Sequence, residues 1–290
     1  MTLEQLRIFI AVAEKQHVTQ AAISLNLTQS ATSAAIAALE ARYGIKLFDR
    51  IGRGIALTQT GREFLVEARG VLNRAKAATQ VLDDLAGLER GTLSIAASQT
   101  VANYWLPGHL LRFKSDHPGI DVQLSIANTE TVASVVRNGQ TDLGFVEGEV
   151  DRDDLDVEAI DGDALIVVVG KPHPWFGRAI KPKDFFKTRW ILREQGSGTR
   201  AIFEAGLRKH GLSVSDLDIA LELPSNESVR AAVEDSDCAT AISELVAAPL
   251  LLAKALHTVN LDFPRRNFFV LRRKDRYASV AQRAFQFNRS

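Results

Sequence analysis

The chain has 290 residues, of which 46% are hydrophobic and 24% are charged, and this composition is typical of a globular protein with room for one to three domains. Its 35 basic and 35 acidic residues give a net charge of zero, which excludes a protein that coats nucleic acid along its whole length. A single cysteine, Cys238, excludes an intrachain disulfide bond and suits a reducing compartment.

No export signal or membrane segment is predicted. Charged residues interrupt the N-terminal 25 positions, and the longest uncharged apolar run, 245–253, is far shorter than the roughly 20 residues that a membrane helix needs. We therefore expect a cytoplasmic protein of bacterial type.

The charge is distributed unevenly along the chain. Residues 1–62 carry seven Lys and Arg against four Asp and Glu, a net charge of +3, which leaves −3 for the rest of the chain. A basic segment on a slightly acidic body indicates a negatively charged partner for the N-terminal region.

Three short helices are predicted at the N-terminus, over residues 3–13, 19–25 and about 29–43. Asn26 lies between the second and third helices, where a left-handed residue suits a tight turn, and Thr28 can cap the third helix. Two helices joined by so short a turn form a helix-turn-helix. A short β-ribbon follows over 45–58, with Gly52 and Gly54 at its tip and Arg50 and Arg53 exposed, which is the pattern of a wing.

One long helix is predicted from residue 59 to about residue 90. About 30 residues at 1.5 Å each give a rod of roughly 45 Å. Its apolar residues step by four and three over three heptads, which predicts a seam for a partner helix. The seam consists of Phe64, Ala68, Val71, Ala75, Ala78, Leu82 and Leu85. A second copy of the chain is the expected partner, and packing of the stripe on the chain's own C-terminal domain is the alternative.

Strands alternate with helices beyond Gly91, which predicts a mostly parallel sheet with helices on its faces. The predicted strands are 93–98, 120–128, 143–147, 164–170, 190–193, 219–223 and 239–243. Two such runs in about 200 residues favour two small α/β subdomains around a cleft, subdomain I over about 91–161 and 266–290 and subdomain II over about 162–265. The chain is thus predicted to be an α + α/β protein with domains at 1–58, 59–90 and 91–290.

Four strand-to-helix junctions of this region carry small hydroxyl and amide side chains. Open parallel sheets bind ligands at the carboxyl ends of their strands, where helix N-termini direct free N–H groups outward. The candidate binding residues at these junctions are Ser98, Gln99, Thr100, Asn128, Thr129, Ser197, Gly198, Thr199 and Asn226. Any one Ser, Thr or Asn could serve only as a helix cap. Four junctions together favour a small polar ligand, and Arg200 with the helix dipoles favours an anion.

Motifs for catalysis and metal binding are absent from the sequence. The stretch Gly196–Thr199 lacks the Lys and the spacing of a P-loop, no G-x-S-x-G elbow occurs around its serine, and the six histidines are scattered without an H-E-x-x-H pattern. We therefore predict no enzyme activity, no metal site and no cofactor.

The N-terminal motifs resemble those of the LysR-type transcriptional regulators. The matching segments are LEQLRIF at 3–9, TQAA at 19–22, LTQSA at 27–31, ALE at 38–40, LFDR at 47–50 and LTQTG at 57–61. The resemblance implies a winged helix-turn-helix, a dimerising linker helix and a C-terminal effector domain like the type 2 periplasmic solute-binding proteins. It further implies a homotetramer, a dimer of dimers, on double-stranded promoter DNA, with RNA polymerase as a further candidate partner.

One part of the third helix departs from the family. Members commonly carry an apolar residue followed by Ser, Arg and Gln, where this chain has Thr32, Ser33, Ala34 and Ala35, so no contact is carried over to the two alanines. Hydroxyls and amides can still read base edges in the major groove, while arginines hold phosphates. The predicted base-reading residues are Thr28, Gln29, Ser30, Thr32 and Ser33, and the predicted phosphate-binding residues are Arg50, Arg53 and Arg62.

The C-terminal motifs NYWLP at 103–107, LGFVEG at 143–148 and WILREQGSGTR at 190–200 resemble the branch of that family that governs sulfur assimilation and carbon fixation. This implies effectors such as sulfate, sulfite or phosphorylated metabolites, in line with an anion site. Glu147 is expected near the mouth of the cleft, where it is protonated, orients Arg200, or accepts a hydrogen bond from the ligand.

Two rival functions are also compatible with the sequence. One is a cytoplasmic small-molecule-binding protein without a specific DNA target, whose N-terminus only dimerises. The other is an enzyme on an α/β scaffold, which the motifs do not favour because they assemble no nucleophile, base and orienting group. DNA binding separates a regulator from both.

Overall fold

The computed structural model describes residues 1–52, 54–85, 91–259, 263, 265–274 and 278–285. Two compact units make up the chain, one comprising Met1–Gly87 with Asn138–Gln140 and the other Leu88–Arg137 with Thr141–Ser290. No helix in the described part is both long enough and apolar enough to cross a membrane.

The N-terminal unit contains the predicted helix-turn-helix and wing. Its helices are α1 (Leu3–Lys15), α2 (Val18–Ser24), α3 (Gln29–Tyr43) and α4 (Gln59–Leu85), and its antiparallel ribbon is β1 (Phe48–Ile51) with β2 (Gly54–Leu57). Asn26 has a φ of 56°, so the turn before α3 uses the left-handed residue that the sequence predicted. Thr28 caps α3, because its hydroxyl accepts a hydrogen bond from the Ala31 amide at 3.2 Å.

Aromatic packing joins α1, the wing and α4. Phe9 is fully buried, with its ring centroid 4.9 Å from that of Phe64 and 5.5 Å from that of Phe48. Glu40 of α3 adds a polar tie, since its carboxylate accepts from the amides of Leu47 at 2.7 Å and Phe48 at 3.2 Å. Burying one such aromatic side chain contributes about 1.5–3 kcal/mol, so these contacts hold the wing against the helices.

A glycine allows α4 to approach the wing. A Cβ atom at Gly61 would lie 2.1 Å from the carbonyl oxygen of Leu47, far inside van der Waals contact. The start of α4 can therefore reach this position only because residue 61 has no side chain.

The C-terminal unit is built on one sheet in the order β4-β3-β5-β11-β6-β9-β7-β8, with β10 paired to β6. Its strands are β3 (Gly91–Ser98), β4 (Ile120–Ala127), β5 (Leu143–Glu147), β6 (Leu155–Gly170), β7 (Arg189–Arg193), β8 (Asp218–Leu223), β9 (Cys238–Ser243), β10 (Leu256–Val259) and β11 (Arg265–Arg273). Its helices are α5 (Leu106–Asp116), α6 (Thr129–Arg137), α7 (Gly198–Lys209), α8 (Asn226–Glu234), α9 (Glu244–Leu252) and α10 (Val280–Ala284), and a π-helical segment, Val101–Trp105, precedes α5.

The sheet is mixed, whereas the sequence predicted a mostly parallel one. Strand β11 returns antiparallel between β5 and β6, and β6 also runs antiparallel to β9 and β10. Strand β6 is longer than the predicted segment 164–170: residues 155–164 pair with β11, and residues from 165 onward pair with β9 and β10. Strand β6 thus links two hydrophobic cores, one around Phe145 and Phe268 and the other around Trp190 and Phe203.

Candidate functional site

The first turns of α3 present a polar and uncharged surface. Gln29, Ser30 and Ser33 are exposed, and the hydroxyls of Thr28 and Ser30 lie 3.1 Å apart. Such side chains can donate to and accept from base edges without a charge of their own.

Thr32 does not belong to this surface, which corrects the sequence prediction. It is fully buried, and its hydroxyl donates to the carbonyl oxygen of Thr28 at 3.1 Å. This bond to the fourth preceding residue is a common use of a hydroxyl inside a helix. Periodicity could have indicated it, because Thr32 lies one turn before the buried Ile36.

The predicted phosphate contacts are divided between exposed and tethered side chains. Arg50 is exposed on β1 opposite Ile55. Arg62 is exposed too, and its guanidinium donates to the carbonyl oxygen of Leu57 at 2.9 Å, which fixes it beside the end of the wing. Arg53 lies outside the described residues.

The predicted seam on α4 divides into a buried and an exposed part. Ala68 is 1% exposed and packs with Phe64 in the core of its own domain, so these two residues are not available to a partner helix. Farther along α4, Val71 is 42% and Leu82 is 67% exposed. Ala75 is half-buried, Ala78 is exposed, and the side chain of Leu85 lies outside the described part of the structure.

The four predicted strand-to-helix junctions of the C-terminal unit come together around Glu147. The side chain of Asn226, at the start of α8, donates to the Thr100 hydroxyl at 3.1 Å. Thr129, at the start of α6, donates to the carbonyl oxygen of Glu147 at 3.1 Å, and a Cβ at Gly198, at the start of α7, would lie 2.6 Å from the Thr129 hydroxyl. We call the group the junction cluster. It consists of Ser98, Thr100, Thr129, Glu147, Ser197, Thr199, Asn226 and Arg266.

Glu147 lies at the buried centre of the junction cluster, whereas the sequence placed it near the mouth. It is 1% exposed. Its carboxylate accepts hydrogen bonds from Ser98, and from Thr100 and Thr199 at 3.4 Å each. Three hydroxyls that we expected to contact a ligand are therefore directed at this carboxylate.

Arg266 is the cation that faces Glu147, and it was not predicted from the sequence. A second buried arginine, Arg193, donates to Asn226 and is paired with Glu194. The guanidinium of Arg266 donates to both carboxylate oxygens of Asp163. It lies 3.9 Å from a carboxylate oxygen of Glu147. It also donates to Thr199 at 3.1 Å and to Thr100 at 3.4 Å. Burial opposes the charge, but the bond to Asp163 and the neighbouring carboxylates of Glu147 and Asp163 outweigh it and raise the pKa of Arg266. Strand β11 was not predicted, so its arginines were not considered.

Arg200, by contrast, is committed elsewhere. It donates to Glu204 at 2.6 Å, to Glu222 at 3.1 Å and to the carbonyl oxygen of Arg193 at 2.9 Å. The expectation that Arg200 attracts an anion or is oriented by Glu147 is therefore wrong, and Arg266 is the arginine that faces Glu147.

Ser197 carries a buried hydroxyl with no partner in the described structure. It is 2% exposed and lies at the N-cap of α7, yet its side chain accepts no hydrogen bond from the helix. A buried polar group without a partner is costly and calls for an explanation such as a ligand or ordered water. The helix N-terminus beside it supplies N–H donors and a partial positive charge.

Hydrogen bonds between junctions that are far apart in the chain surround the junction cluster. Gln99 donates to the carbonyl oxygen of Pro224 at 2.8 Å and accepts from the amide of Asn226 at 2.9 Å. On the other side, the amide of Glu130 donates to the carbonyl oxygen of Gly196 at 3.2 Å, and Asn128 donates to that of Gln195 at 3.5 Å.

A separate cavity of about 340 Å³ lies next to Asp142, Arg272 and Lys274. The Asp142 carboxylate accepts from the amide and hydroxyl of Ser94, and Gln282 donates to the Asp142 carbonyl oxygen at 2.9 Å. These internal bonds give its buried polar groups a structural role. Within the described chain no three His, Cys, Asp or Glu side chains are grouped to hold a metal ion.

Comparison with known proteins decides the family. A model of the bacterial regulatory helix-turn-helix proteins of the lysR family matches residues 3–62, and a model of the LysR substrate binding domain matches residues 86–286. The chain belongs to the LysR family of transcriptional regulators. LysR proteins regulate transcription and are not enzymes, which agrees with the sequence prediction.

Relatives and solved structures agree with this assignment. The RuBisCO operon transcriptional regulator of Allochromatium vinosum is 31% identical over 99% of this chain and 94% of its own length, in line with the carbon-fixation branch indicated by the C-terminal motifs. Full-length CbnR in complex with target DNA has the same fold, with a TM-score of 0.71 and 24% identity over 98% of this chain and 97% of CbnR. The regulatory domain of CcmR from Synechocystis PCC6803, solved in complex with 2-PG, has a TM-score of 0.60 and 26% identity over 68% of this LysR regulator and 94% of the CcmR chain.

Proposed function

We propose that this LysR regulator binds a small anionic effector at the junction cluster and converts that binding into a change in how it holds promoter DNA. The observation that carries the proposal is the unpartnered, buried hydroxyl of Ser197 at the start of α7, which lies next to the start of α6. Helix N-termini attract anions through free N–H groups and the helix dipole. Arg266 adds a guanidinium with a raised pKa, and the CcmR domain provides a related case with a bound small molecule.

The effector would enter by opening the hydrogen bonds that cross the cleft. A ligand that bridges Ser197 of subdomain II and Ser98 of subdomain I would favour the closed arrangement, because it adds contacts to both halves. Strands β6 and β11 are the proposed hinge, since both halves of the sheet share β6. The equilibrium between open and closed forms is then the element that the effector shifts.

On the DNA side, Gln29, Ser30 and Ser33 would read base edges, while Arg50, Arg53 and Arg62 hold phosphates. Base edges carry sequence information and phosphates carry most of the affinity, so an uncharged reading helix is sufficient when arginines flank it.

The proposed dimer seam starts at Val71, because Phe64 and Ala68 are used within their own domain. We propose a dimer of dimers, in which several DNA-binding heads reinforce one another.

Thermal unfolding of the full-length protein against sulfate, sulfite, thiosulfate, phosphate and phosphoglycolate tests the effector proposal. A ligand at 100 times its dissociation constant adds about 2.7 kcal/mol to stability, which gives a clear rise in Tm. A selective rise for one of these anions would support the proposal. If no anion raises Tm while DNA binding is intact, the effector is not an anion of this kind.

Two matched variants locate the site. Ser197→Ala removes the unpartnered hydroxyl and should abolish the rise in Tm while the unliganded protein stays folded. Thr240→Val is the control, because Thr240 is the other buried hydroxyl without a partner in the described structure and lies on β9 outside the junction cluster. It should keep the full ligand response, and an equal loss in both variants would contradict the assignment to Ser197.

A further inference from the structure

We propose that Glu147 makes the junction cluster selective for anions that carry a hydrogen-bond donor. Such anions include oxyanions that keep a proton at neutral pH, as phosphate does and sulfate does not. The inference rests on the proposed function, because it assigns a chemical class to the effector of the same site.

The protons of three hydroxyls in the junction cluster already point at Glu147. A Ser or Thr hydroxyl has one proton and two lone pairs. Ser98, Thr100 and Thr199 each direct that proton at the Glu147 carboxylate, and Thr100 and Thr199 also receive donors from Arg266. While these bonds persist, Ser98 and Thr199 present lone pairs and no proton to an incoming ligand. Thr100 presents neither, because it also accepts from Asn226 at 3.1 Å.

The charge of the junction cluster points the same way. Arg266 lies between two carboxylates, and its direct hydrogen bonds go to Asp163, whereas the distance to Glu147 is 3.9 Å. One guanidinium cannot neutralise both acids, and Arg193, which donates to Asn226, is already paired with Glu194. Ser243 also donates to Asp163, so that carboxylate is well satisfied, and Glu147 is the acid that faces the hydroxyls at the helix starts.

An anion without a proton would meet a buried carboxylate and hydroxyl lone pairs. Like charges repel more strongly where water is excluded, and Glu147 is 1% exposed. An anion with an O–H can instead donate to the Glu147 carboxylate, while its other oxygens accept from Ser197 and the helix N–H groups. The Glu147 carboxylate thus repels an anion without a proton and accepts a hydrogen bond from an anion that carries an O–H group.

Sites built to accept a hydrogen bond from the ligand discriminate strongly against an analogue without that donor, which here would place its oxygens against the Glu147 carboxylate. We therefore expect a preference of about 100-fold or more for a donor-bearing anion over its isosteric partner without a donor.

Calorimetric titration of the full-length protein at neutral pH tests this with two matched pairs of probes. Phosphate and sulfate are similar in size and shape, but only phosphate keeps a proton, and phosphonoacetate and sulfoacetate extend the comparison to larger anions. The expected result is that the phosphorus member of at least one pair binds about 100-fold more tightly than the sulfur member. Equal affinities, or a preference for sulfate or sulfoacetate, would overturn the inference and leave the anionic effector intact. If neither pair binds, the inference and the anionic effector fall together.

Substitution of Glu147 assigns the selectivity to that side chain. Glu147→Gln keeps the shape but replaces one acceptor with an N–H donor, so the preference should narrow to less than about tenfold. Glu222→Gln is the matched control, because Glu222 pairs with Arg200 and its side chain is 43% exposed. It should keep the wild-type preference. A preference that survives Glu147→Gln would contradict the role of Glu147, and the two wild-type pairs decide the inference if that variant does not fold.

Discussion

Helices α3 and α7 both have a hydroxyl-bearing residue at the N-cap position, but only one of the two hydroxyls caps its helix. Thr28 is exposed and caps α3 by accepting from the Ala31 amide. Ser197 is buried at the start of α7, does not cap it, and keeps a hydroxyl without a partner in the described structure. The Thr28 hydroxyl accepts from an amide of its own helix. The Ser197 hydroxyl does not, and it lies in the junction cluster with the buried Arg266.

The comparison shows that residue type alone does not separate a structural cap from a binding group. Ser and Thr are favoured at helix N-termini because their hydroxyls cap the helix. The sequence therefore predicts a cap equally well at Thr28 and at Ser197. The surroundings decide, because at an exposed helix start the cap competes only with water, whereas at a buried start every unused donor is costly.

The largest effect is expected from removing the cation that supports the α7 terminus. Arg266→Ala would leave Asp163 and Glu147 as buried carboxylates without their guanidinium and should lower the free energy of unfolding by about 3–5 kcal/mol. Urea denaturation at pH 7 measures it. Arg272→Ala is the control on the same strand, where a partly exposed pair with Glu158 should contribute at most about 1 kcal/mol. A wild-type stability for Arg266→Ala would show that the buried ion cluster does not hold the junctions together.

At the α3 terminus the expected effects concern DNA. Gln29→Ala should change sequence preference, at a cost of about 1–3 kcal/mol in discrimination at one base pair. Arg50→Ala should weaken binding to all sequences alike and reduce the salt dependence by about one phosphate contact. Gel shifts on specific and random DNA at several salt concentrations separate the two. If Gln29→Ala also weakened all sequences equally, α3 would not be the base-reading helix.

The capping contrast itself can be measured without ligand or DNA. Thr28→Ala should cost about 1 kcal/mol, because the α3 cap is lost. Ser197→Ala should leave the unliganded protein equally stable or slightly more stable, because it removes an unpaired buried hydroxyl and no existing bond. Denaturation of the two variants side by side tests this. A clear loss of stability in Ser197→Ala would mean that its hydroxyl already has a structural partner.

The smallest effect is expected at His173, a buried ring in which each of the two nitrogens has a hydrogen-bond partner. The ring of His173 accepts from the Trp175 amide at 3.0 Å and lies 2.7 Å from the Thr188 hydroxyl. Burial lowers the pKa of His173, an effect that the charge of Asp237 partly opposes. The folded-state pKa of His173 is thus below the unfolded value of about 6.5. The contribution of the neutral ring to the free energy of unfolding is therefore fully present above that pH, and it is lost as the ring takes up a proton in acid.

The free energy of unfolding of the wild type should therefore decline as the pH is lowered from 7.5 to 5. His173→Asn keeps an acceptor near the Trp175 amide and does not titrate, so its decline should be shallower. Parallel pH profiles in the two proteins would remove His173 as the source.

Local features of this chain could be predicted from the sequence. The helix-turn-helix, the wing and the four junctions depend on residues close together in the chain, such as Asn26 at its left-handed turn and Thr28 at its cap. Within each parallel set, β3 with β4 and β7 with β8, the junction residues lie together because parallel strands end at the same edge. The two sets run antiparallel to each other and meet where β6 changes its partner from β11 to β9, beside Asp163 and Arg266.

Features that depend on distant partners were missed or misplaced. Arg266 lies 103 positions from Asp163, and nothing in the local pattern indicated that a strand would place it among the junctions. Arg200 looked like an anion ligand beside Gly196–Thr199 until Glu204 and Glu222 proved to hold it. Thr32 shared the polar character of its neighbours, and only the packing of α3 showed that it faces inward.

The close approach at Gly61 has a mechanical consequence. Helix α4 has 27 residues, which at 1.5 Å each make an arm of roughly 40 Å. Because no side chain separates its first turn from Leu47, and because Phe64 packs on Phe9, the base of the arm and the wing beside it have little room to slip. A tilt imposed at the far end of α4 would thus reach Arg50 as a rigid rotation, and α4 would act as a lever on the DNA-binding head.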